Sequence, residues 1–419
     1  MFAKPAAPHV SPVPAAVAVE STQAWARLFV TLVLSTIGGV GMWSVVVAMP
    51  AVQADFHVAR ASASLPYTLT MLGFGAAGLA MGRLSDRYGI IVPVVVGALL
   101  LAAGYAAAAA SPNLALYTLA QTLIGAGSSA TFAPLLAHVS LWFTRRRGIA
   151  VAIIASGNYL AGALWPPIVE HFIGGYGWRG TYLGIGAFCL VAMLPLALPL
   201  RGPAPAADAA DTRRAIASPA SLGLSPNALQ MLLIVAGVAC CVAMSMPQVH
   251  LVAYCSDLGY GPARGAQMLS LMLACGIVSR LVFGLICDRV GGLRTLLLGS
   301  ALQGVALTLF LPFDGLVSLY VISALFGLFQ GGIVPAYAII VREYFDRAEA
   351  GSRVAAVLTA TLVGMAAGGY LSGVIFDLTG SYRAAFVHGL AWNLVNVSIA
   401  TWLMRRSLRP IRAYRVRRA

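Results

Sequence analysis

Long apolar runs separated by short polar turns make up most of the chain. Runs that can cross a hydrocarbon core of ~30 Å need about 20 residues each. Six lie in the first half, at 25–49, 62–82, 90–110, 114–142, 149–172 and 178–200. A Pro- and Ala-rich polar stretch at 201–225, with Asp208, Asp211, Arg213 and Arg214, reads as a linker. Six more runs follow at 227–254, 263–286, 293–311, 316–341, 353–376 and 384–404. The runs are continuous and lack the alternation of β-barrel strands, so the predicted fold is an all-α membrane protein of twelve transmembrane helices. The domain layout is a flexible tail at 1–24, a six-helix bundle at 25–200, a linker at 201–225, a second six-helix bundle at 226–404 and a basic tail at 405–419.

Composition excludes the soluble alternative. Of 419 residues, 60% are hydrophobic and 10% charged, against about 45–50% and 25% in a water-soluble domain. The net charge of +14 would suit a nucleic-acid binder if the arginines formed one patch, but they are scattered among short loops, and no nucleic acid is expected as a partner. Their distribution reports topology instead. The side bearing both termini holds 22 Lys and Arg, and the other holds only Arg60, Arg179, Arg264 and Arg383. Both termini are therefore expected in the cytoplasm. The arginines of the 405–419 tail suit anionic lipid headgroups, at about 1 kcal/mol each. The first 24 residues lack the pattern of a cleaved signal peptide. Six cysteines, Cys189, Cys240, Cys241, Cys255, Cys275 and Cys287, show no metal-ligand spacing and read as core packing. Arginine outnumbers lysine 26 to one, a bias that suggests a bacterial cytoplasmic membrane as the location.

The halves repeat. Gly82-Arg83-Leu84-Ser85-Asp86-Arg87-Tyr88-Gly89 recurs 202 positions later as Gly284-Leu285-Ile286-Cys287-Asp288-Arg289-Val290-Gly291. Trp142-Phe143-Thr144-Arg145 recurs at the same offset as Tyr344-Phe345-Asp346-Arg347, and Gly177-Trp178-Arg179 echoes in Ser381-Tyr382-Arg383. With six spans per half, equivalent motifs fall on one side, as in a parallel duplication about an axis along the membrane normal. This symmetry favours a rocking transporter.

The Gly-x-Leu-x-Asp-Arg-x-Gly loop and its copy resemble the signature loop of the major facilitator superfamily. The resemblance implies a cytoplasmic latch built on Asp86, Arg87, Asp288 and Arg289, whose ion pairs break and re-form as the halves rock. The stretch Trp142-Phe143-Thr144-Arg145-Arg146-Arg147-Gly148-Ile149-Ala150, followed by Ala155-Ser156-Gly157, is similar to the segment leading into helix five of monocarboxylate transporters. Gln248-Val249-His250-Leu251, together with Arg280 eight residues before Asp288, resembles bacterial members of that family and the related oxalate/formate exchangers.

Arg280 carries the chemistry. Eight residues at 1.5 Å each set it ~12 Å inside the end marked by Asp288, near the middle of the core. A charge at that depth costs upward of ~2.5 kcal/mol and should face a cavity. All 13 acidic residues lie in tails, linker, loops or helix ends, so the missing counter-ion reads as a substrate carboxylate held by the guanidinium fork. The competing reading has Arg280 satisfied by backbone carbonyls or amide side chains at a helix interface. His250 is a candidate for gating or proton exchange. Asn158, Tyr159, Gln330 and Tyr67 are polar groups at membrane depth that either line the cavity or bond helix to helix.

Departures from the family pattern narrow the substrate. The first span has Gly38-Gly39-Val40-Gly41-Met42-Trp43 where animal members begin with an acidic residue, no lysine follows Lys4, and Gly276 stands where animal members place a carboxylate beside the arginine. Span eleven, around 359–369, lacks the second cation of an oxalate exchanger. Small monocarboxylates of the lactate or pyruvate kind, coupled to protons through Arg280 and His250, are therefore expected by alternating access. The alternative is an exporter or exchanger of other organic anions or of neutral apolar compounds. No phosphate loop, metal cluster or nucleophile elbow is present, so neither enzyme activity nor a cofactor is expected. The protein is expected to act as a monomer.

Overall fold

A computed structural model describes residues 20–143, 146–202 and 222–408, excluding the side chains of residues 147, 148, 347 and 348. Most of the predicted N-terminal tail, the linker charges Asp208, Asp211, Arg213 and Arg214, Thr144 and Arg145, and the basic tail beyond residue 408 lie outside the described residues.

Every regular element among the described residues is helical. In chain order they are α1 (Thr22–Gly38), α2 (Val40–Phe56), α3 (Arg60–Tyr88), α4 (Ile91–Ala109), α5 (Leu114–Ser129), α6 (Ala133–Ser140), α7 (Arg147–Ala155) and α8 (Gly157–Ala197) in the first half. The second half comprises α9 (Pro226–Asp257), α10 (Pro262–Val290), α11 (Gly292–Leu309), α12 (Leu316–Gln330), α13 (Ile333–Tyr344), α14 (Arg347–Thr379) and α15 (Tyr382–Ser407). Among the described residues, nine stretches are long and apolar enough to cross a membrane. One of these, 149–200, holds two legs, because Gly177 reverses the chain at φ 69°, ψ 166°, a conformation open to glycine alone. The remaining two legs are α3, whose uncharged middle is diluted by Ser, Thr, Tyr, Pro and Gly, and the broken α5–α6 pair. The total is the expected twelve.

Several predicted spans are interrupted. Breaks fall at Gly39 in span one, at residues 130–132 in span four, at Ser156 in span five and at residues 331–332 in span ten. Each break frees backbone carbonyls that would otherwise bond along the helix. Most spans also run past their apolar limits: α3 continues to Tyr88 and α10 to Val290, since polar residues beyond the hydrocarbon edge still complete helical turns.

Within each half, small residues and buried polar pairs set the helix spacing. A Cβ on Gly125 of α5 would lie 2.1 Å from the Thr70 carbonyl oxygen of α3. Gly125→Val is therefore expected to push α5 off α3, and overpacking of this kind costs about 1–3 kcal/mol. The midpoint of thermal unfolding in detergent should fall by several degrees; an unchanged midpoint would contradict the packing described here. Tyr117 and Tyr182 hydroxyls meet at 2.7 Å, and Gln121 donates to Tyr182. In the second half Tyr337, Asn396, Ser300, Asn393 and Gln303 form a continuous buried network. All six cysteines are free, and five are buried, in keeping with a packing role.

Two long seams join the halves: α3 against α14, and α8 against α10. The first is close because Gly373 faces Ala61 and Gly369 faces the Tyr67 ring. Thr68 Oγ1 also donates to the Ala366 carbonyl, at 3.0 Å. In the second seam Gly276 receives the Tyr159 ring and Gly162 lies against Leu273 and Trp43, while Ser270 donates to the Ala163 carbonyl.

Candidate functional site

Arg280 sits at the α8/α10 seam, half-buried, with its guanidinium 4.4 Å from the centre of the Tyr159 ring. Its Nη1 donates to the Ala155 carbonyl at 2.6 Å, and its Nε donates weakly to the Gly331 carbonyl at 3.4 Å. Ala155 is the last residue of α7, and Gly331 directly follows α12. Both carbonyls therefore lie at helix breaks, where the negative end of a helix dipole points outward. Two such ends stabilise a cation that has no carboxylate beside it. The carbonyl-satisfied arrangement weighed from sequence is thus present, and one of its two acceptors comes from the opposite half. Among the described residues, the hydrogen bonds found for the guanidinium use only Nε and Nη1.

The other expected site residues divide into three places. Tyr159 and Asn158 accompany Arg280: Tyr159 is buried against it, and the Asn158 carbonyl accepts from Trp43 Nε1 at 3.2 Å while its Oδ1 is buried without a partner. Gln330 adjoins Gly331 and is fully buried; its Oε1 accepts from Gln248 Nε2 at 3.1 Å, and its own Nε2 has no partner. His250 and Tyr67 lie elsewhere. Counted from the loop joining α9 to α10, His250 is about 10 Å down α9 and Arg280 about 27 Å down α10. Roughly 17 Å of depth, on that rise, therefore separates them. His250 Nε2–H donates to the Gly369 carbonyl at 2.8 Å, which fixes the tautomer, because a carbonyl only accepts. Its Nδ1 is a buried acceptor with no partner. Gly369 lies under the Tyr67 ring, so Tyr67, Gly369 and His250 link α3, α14 and α9.

At the end bearing α3's first residue, a cluster unanticipated from the sequence closes the halves together. Asp377, near the end of α14, accepts from the backbone N–H groups of Arg60 (2.9 Å) and Ala61 (2.7 Å). Residue Ala59 gives α3 no side-chain cap, so the cap comes from the opposite half, and two helix ends of opposite polarity meet. Arg60 Nη2 donates to both carboxylate oxygens of Asp257, at 3.1 and 3.0 Å, and Nη1 donates to the Tyr382 hydroxyl. The same guanidinium lies 4.9 Å from the Phe376 ring centre and 5.7 Å from that of Tyr382, whose ring is 5.8 Å from His250. The signal was present in the sequence: the repeat offset applied to Asp55 lands on Asp257. Nothing in a single sequence showed that Arg60 would cross between halves.

The opposite end differs. Asp86, Arg87, Asp288 and Arg289 are exposed, and among the described residues none makes an ion pair. Cross-half hydrogen bonds among the described residues run from the Arg60 end only as far as Arg280. The molecule is closed at the Arg60 end, and among the described residues no ion pair joins the signature loops. No cluster of His, Cys, Asp or Glu capable of holding a metal occurs among the described residues.

This architecture has relatives. The family model of the Major Facilitator Superfamily matches residues 31–316 and 268–418. Monocarboxylate transporter 13 of Rattus norvegicus is 30% identical over 309 residues, 73% of this chain and 71% of the relative. Monocarboxylate transporter 11 of Homo sapiens is 30% identical over 331 residues, covering 74% and 68%. Among solved structures, a mutant of the nucleoside transporter NupG superposes with a TM-score of 0.72 at 13% identity, covering 91% of this chain and 99% of that one. A bacterial homologue of the human lysosomal transporter Spinster gives 0.69 at 12% identity, covering 93% and 96%. The duplicated twelve-helix fold, the repeated signature loop and these matches establish that the chain belongs to the major facilitator superfamily, as a transporter related to the monocarboxylate transporters rather than an enzyme.

Proposed function

We propose that the protein carries small organic monocarboxylates across a bacterial cytoplasmic membrane, with both termini in the cytoplasm and the Arg60 end facing outward. The observation that carries this reading is the Arg280 guanidinium at the crossing of the two halves, held by two backbone carbonyls and, among the described residues, by no carboxylate. A monocarboxylate entering from the open side meets that fork and takes over hydrogen bonds now given to the Ala155 and Gly331 carbonyls. Because Ala155 belongs to one half and Gly331 to the other, exchanging carbonyls for substrate loosens a bond between the halves at the moment of loading. Binding and rocking are thereby coupled. The unpartnered Asn158 Oδ1 and Gln330 Nε2 offer an acceptor and a donor for a substrate hydroxyl or keto group.

The testing experiment is uptake of radiolabelled lactate, pyruvate and acetate into proteoliposomes under an inward proton gradient. Saturable, gradient-stimulated uptake of at least one acid is the expected result. If none of the three moves, the monocarboxylate reading is wrong.

His250 is assigned the proton. Its free Nδ1 lies beside the closed gate, 5.8 Å from ring to ring with Tyr382, where it can take up a proton once the halves part and water reaches it. Glutamine at this position keeps the N–H donor to Gly369 without a titrating group. His250→Gln is expected to flatten the pH dependence of uptake while preserving substrate counterflow at fixed pH. A pH profile identical to wild type would remove His250 from the proton path.

A further inference from the structure

We propose that Asp257 exchanges arginines during the transport cycle: it holds Arg60 of the opposite half while the Arg60 end is closed, and Arg383 of its own half when that end opens. Asp55 and Asp257 are equivalent in the repeat, 202 positions apart, and each occupies the last turn of its helix, α2 or α9. A carboxylate there faces the negative end of the helix dipole and needs a cation.

In the first half that cation is local. Arg179 Nη1 meets Asp55 at 2.5 Å, Nη2 donates to the Ser111 carbonyl, and the guanidinium lies 4.2 Å from the Trp178 ring centre. Tyr382-Arg383 is the counterpart of Trp178-Arg179, so symmetry assigns Arg383 to Asp257. The structure shows otherwise. Arg383 reaches only Asp314, at 3.4 Å, in a pair whose side chains are 63% and 54% exposed. Asp257 instead takes Arg60, whose side chain is 8% exposed. Position 262, the equivalent of Arg60 in the second half, is Pro262, so no reciprocal cross-half pair can form.

Arg383 is at hand for the exchange. Tyr254, one turn before Asp257 on α9, lies in the field of both Arg383 and Asp314, and its ring packs edge-on against Tyr382 at 5.1 Å. When the halves part at this end, Arg60 departs with α3 and Asp257 would be stranded at the end of α9. Re-pairing with Arg383 restores the arrangement that Asp55 and Arg179 already display. The exchange gives the open state a counter-ion of its own, so the gate is balanced between two states rather than locked in one.

The inference rests on the alternating-access reading but not on the identity of the substrate, so its test reads conformation without substrate. Spin labels at Tyr176→Cys and Val317→Cys, exposed positions on opposite halves at this end (74% and 76%), are placed in a background whose six native cysteines are serine. Double electron–electron resonance in lipid nanodiscs then gives the ratio of long to short distances. Arg60→Gln is expected to raise that ratio at least about fivefold. On the Arg60→Gln background, Arg383→Gln is expected to lower it again by a similar factor, and adding Asp257→Asn should abolish the effect of Arg383→Gln. An unchanged or increased ratio with Arg383→Gln would overturn the exchange. So would an effect that persists without Asp257, since Arg383 would then act through Asp314. Failure of Arg60→Gln to open this end would overturn the latch itself. Loss of monocarboxylate uptake, by contrast, would bear on the substrate reading and leave these distances untouched.

Discussion

Arg280→Ala is expected to lower proton-driven monocarboxylate uptake by about 100-fold or more, because truncating one partner of a buried, hydrogen-bonded charge pair costs about 2–5 kcal/mol of binding. The same change also leaves the Ala155 and Gly331 carbonyls without their donor, so loss of activity alone would not separate binding from folding. Arg280→Lys resolves this. An ammonium retains the charge and one carbonyl contact but cannot present two parallel N–H groups to a carboxylate. The lysine variant should purify as monodisperse protein with near-normal thermal stability, and its affinity for the substrate should fall about tenfold or more. Should the lysine variant transport with unaltered affinity, Arg280 would be a tie between helix ends and no more. Binding measured by isothermal calorimetry alongside uptake distinguishes these outcomes.

Asp377→Ala is expected to shift the resting molecule toward opening at the Arg60 end. The carboxylate caps α3 from the opposite half through two backbone N–H groups, at 2.9 and 2.7 Å. A helix cap lost to alanine costs about 0.5–2 kcal/mol, and a charged cap falls at the upper end of that range. In this molecule the cost falls on the closed state alone, because once the halves part at this end α3 leaves the cap behind. The ratio of open to closed molecules should therefore rise by about tenfold, while the midpoint of global unfolding moves little. The expected readout is faster modification, by a membrane-impermeant thiol reagent, of a cysteine placed at Tyr67, which is 3% exposed in the closed molecule. If Asp377→Ala leaves that rate unchanged, the cap does not contribute to closure. Asp377→Asn, which keeps one acceptor oxygen and loses the charge, should fall between wild type and alanine.

Some of this was fixed by local chemistry along the chain. The number of spans follows from the length of the apolar runs, since the bilayer demands about 20 residues of helix at each crossing whatever the neighbours. The duplication follows from the recurrence of Gly82 to Gly89 at Gly284 to Gly291, and the exceptional status of Arg280 follows from its depth together with the acidic inventory. These are one-dimensional properties, readable by position alone. Partner choice is not. Arg280 was legible as a lone cation, but its acceptors are carbonyls at Ala155 and Gly331, released by helix breaks that depend on how α7 meets α8 and how α12 meets α13. The different levels of His250 and Arg280 follow from position and helical rise, but that His250 bonds the Gly369 carbonyl of α14 does not. Arg60 and Asp377 read as ordinary loop-edge charges. They became a gate because α3 and α14, more than 300 positions apart at these residues, lie side by side. Spans, repeat and deep cation were thus written into the order of residues, because hydrophobicity and helical rise act one residue at a time. Which charges meet across the two halves came from packing in three dimensions, because it depends on which helix ends the closed conformation brings together.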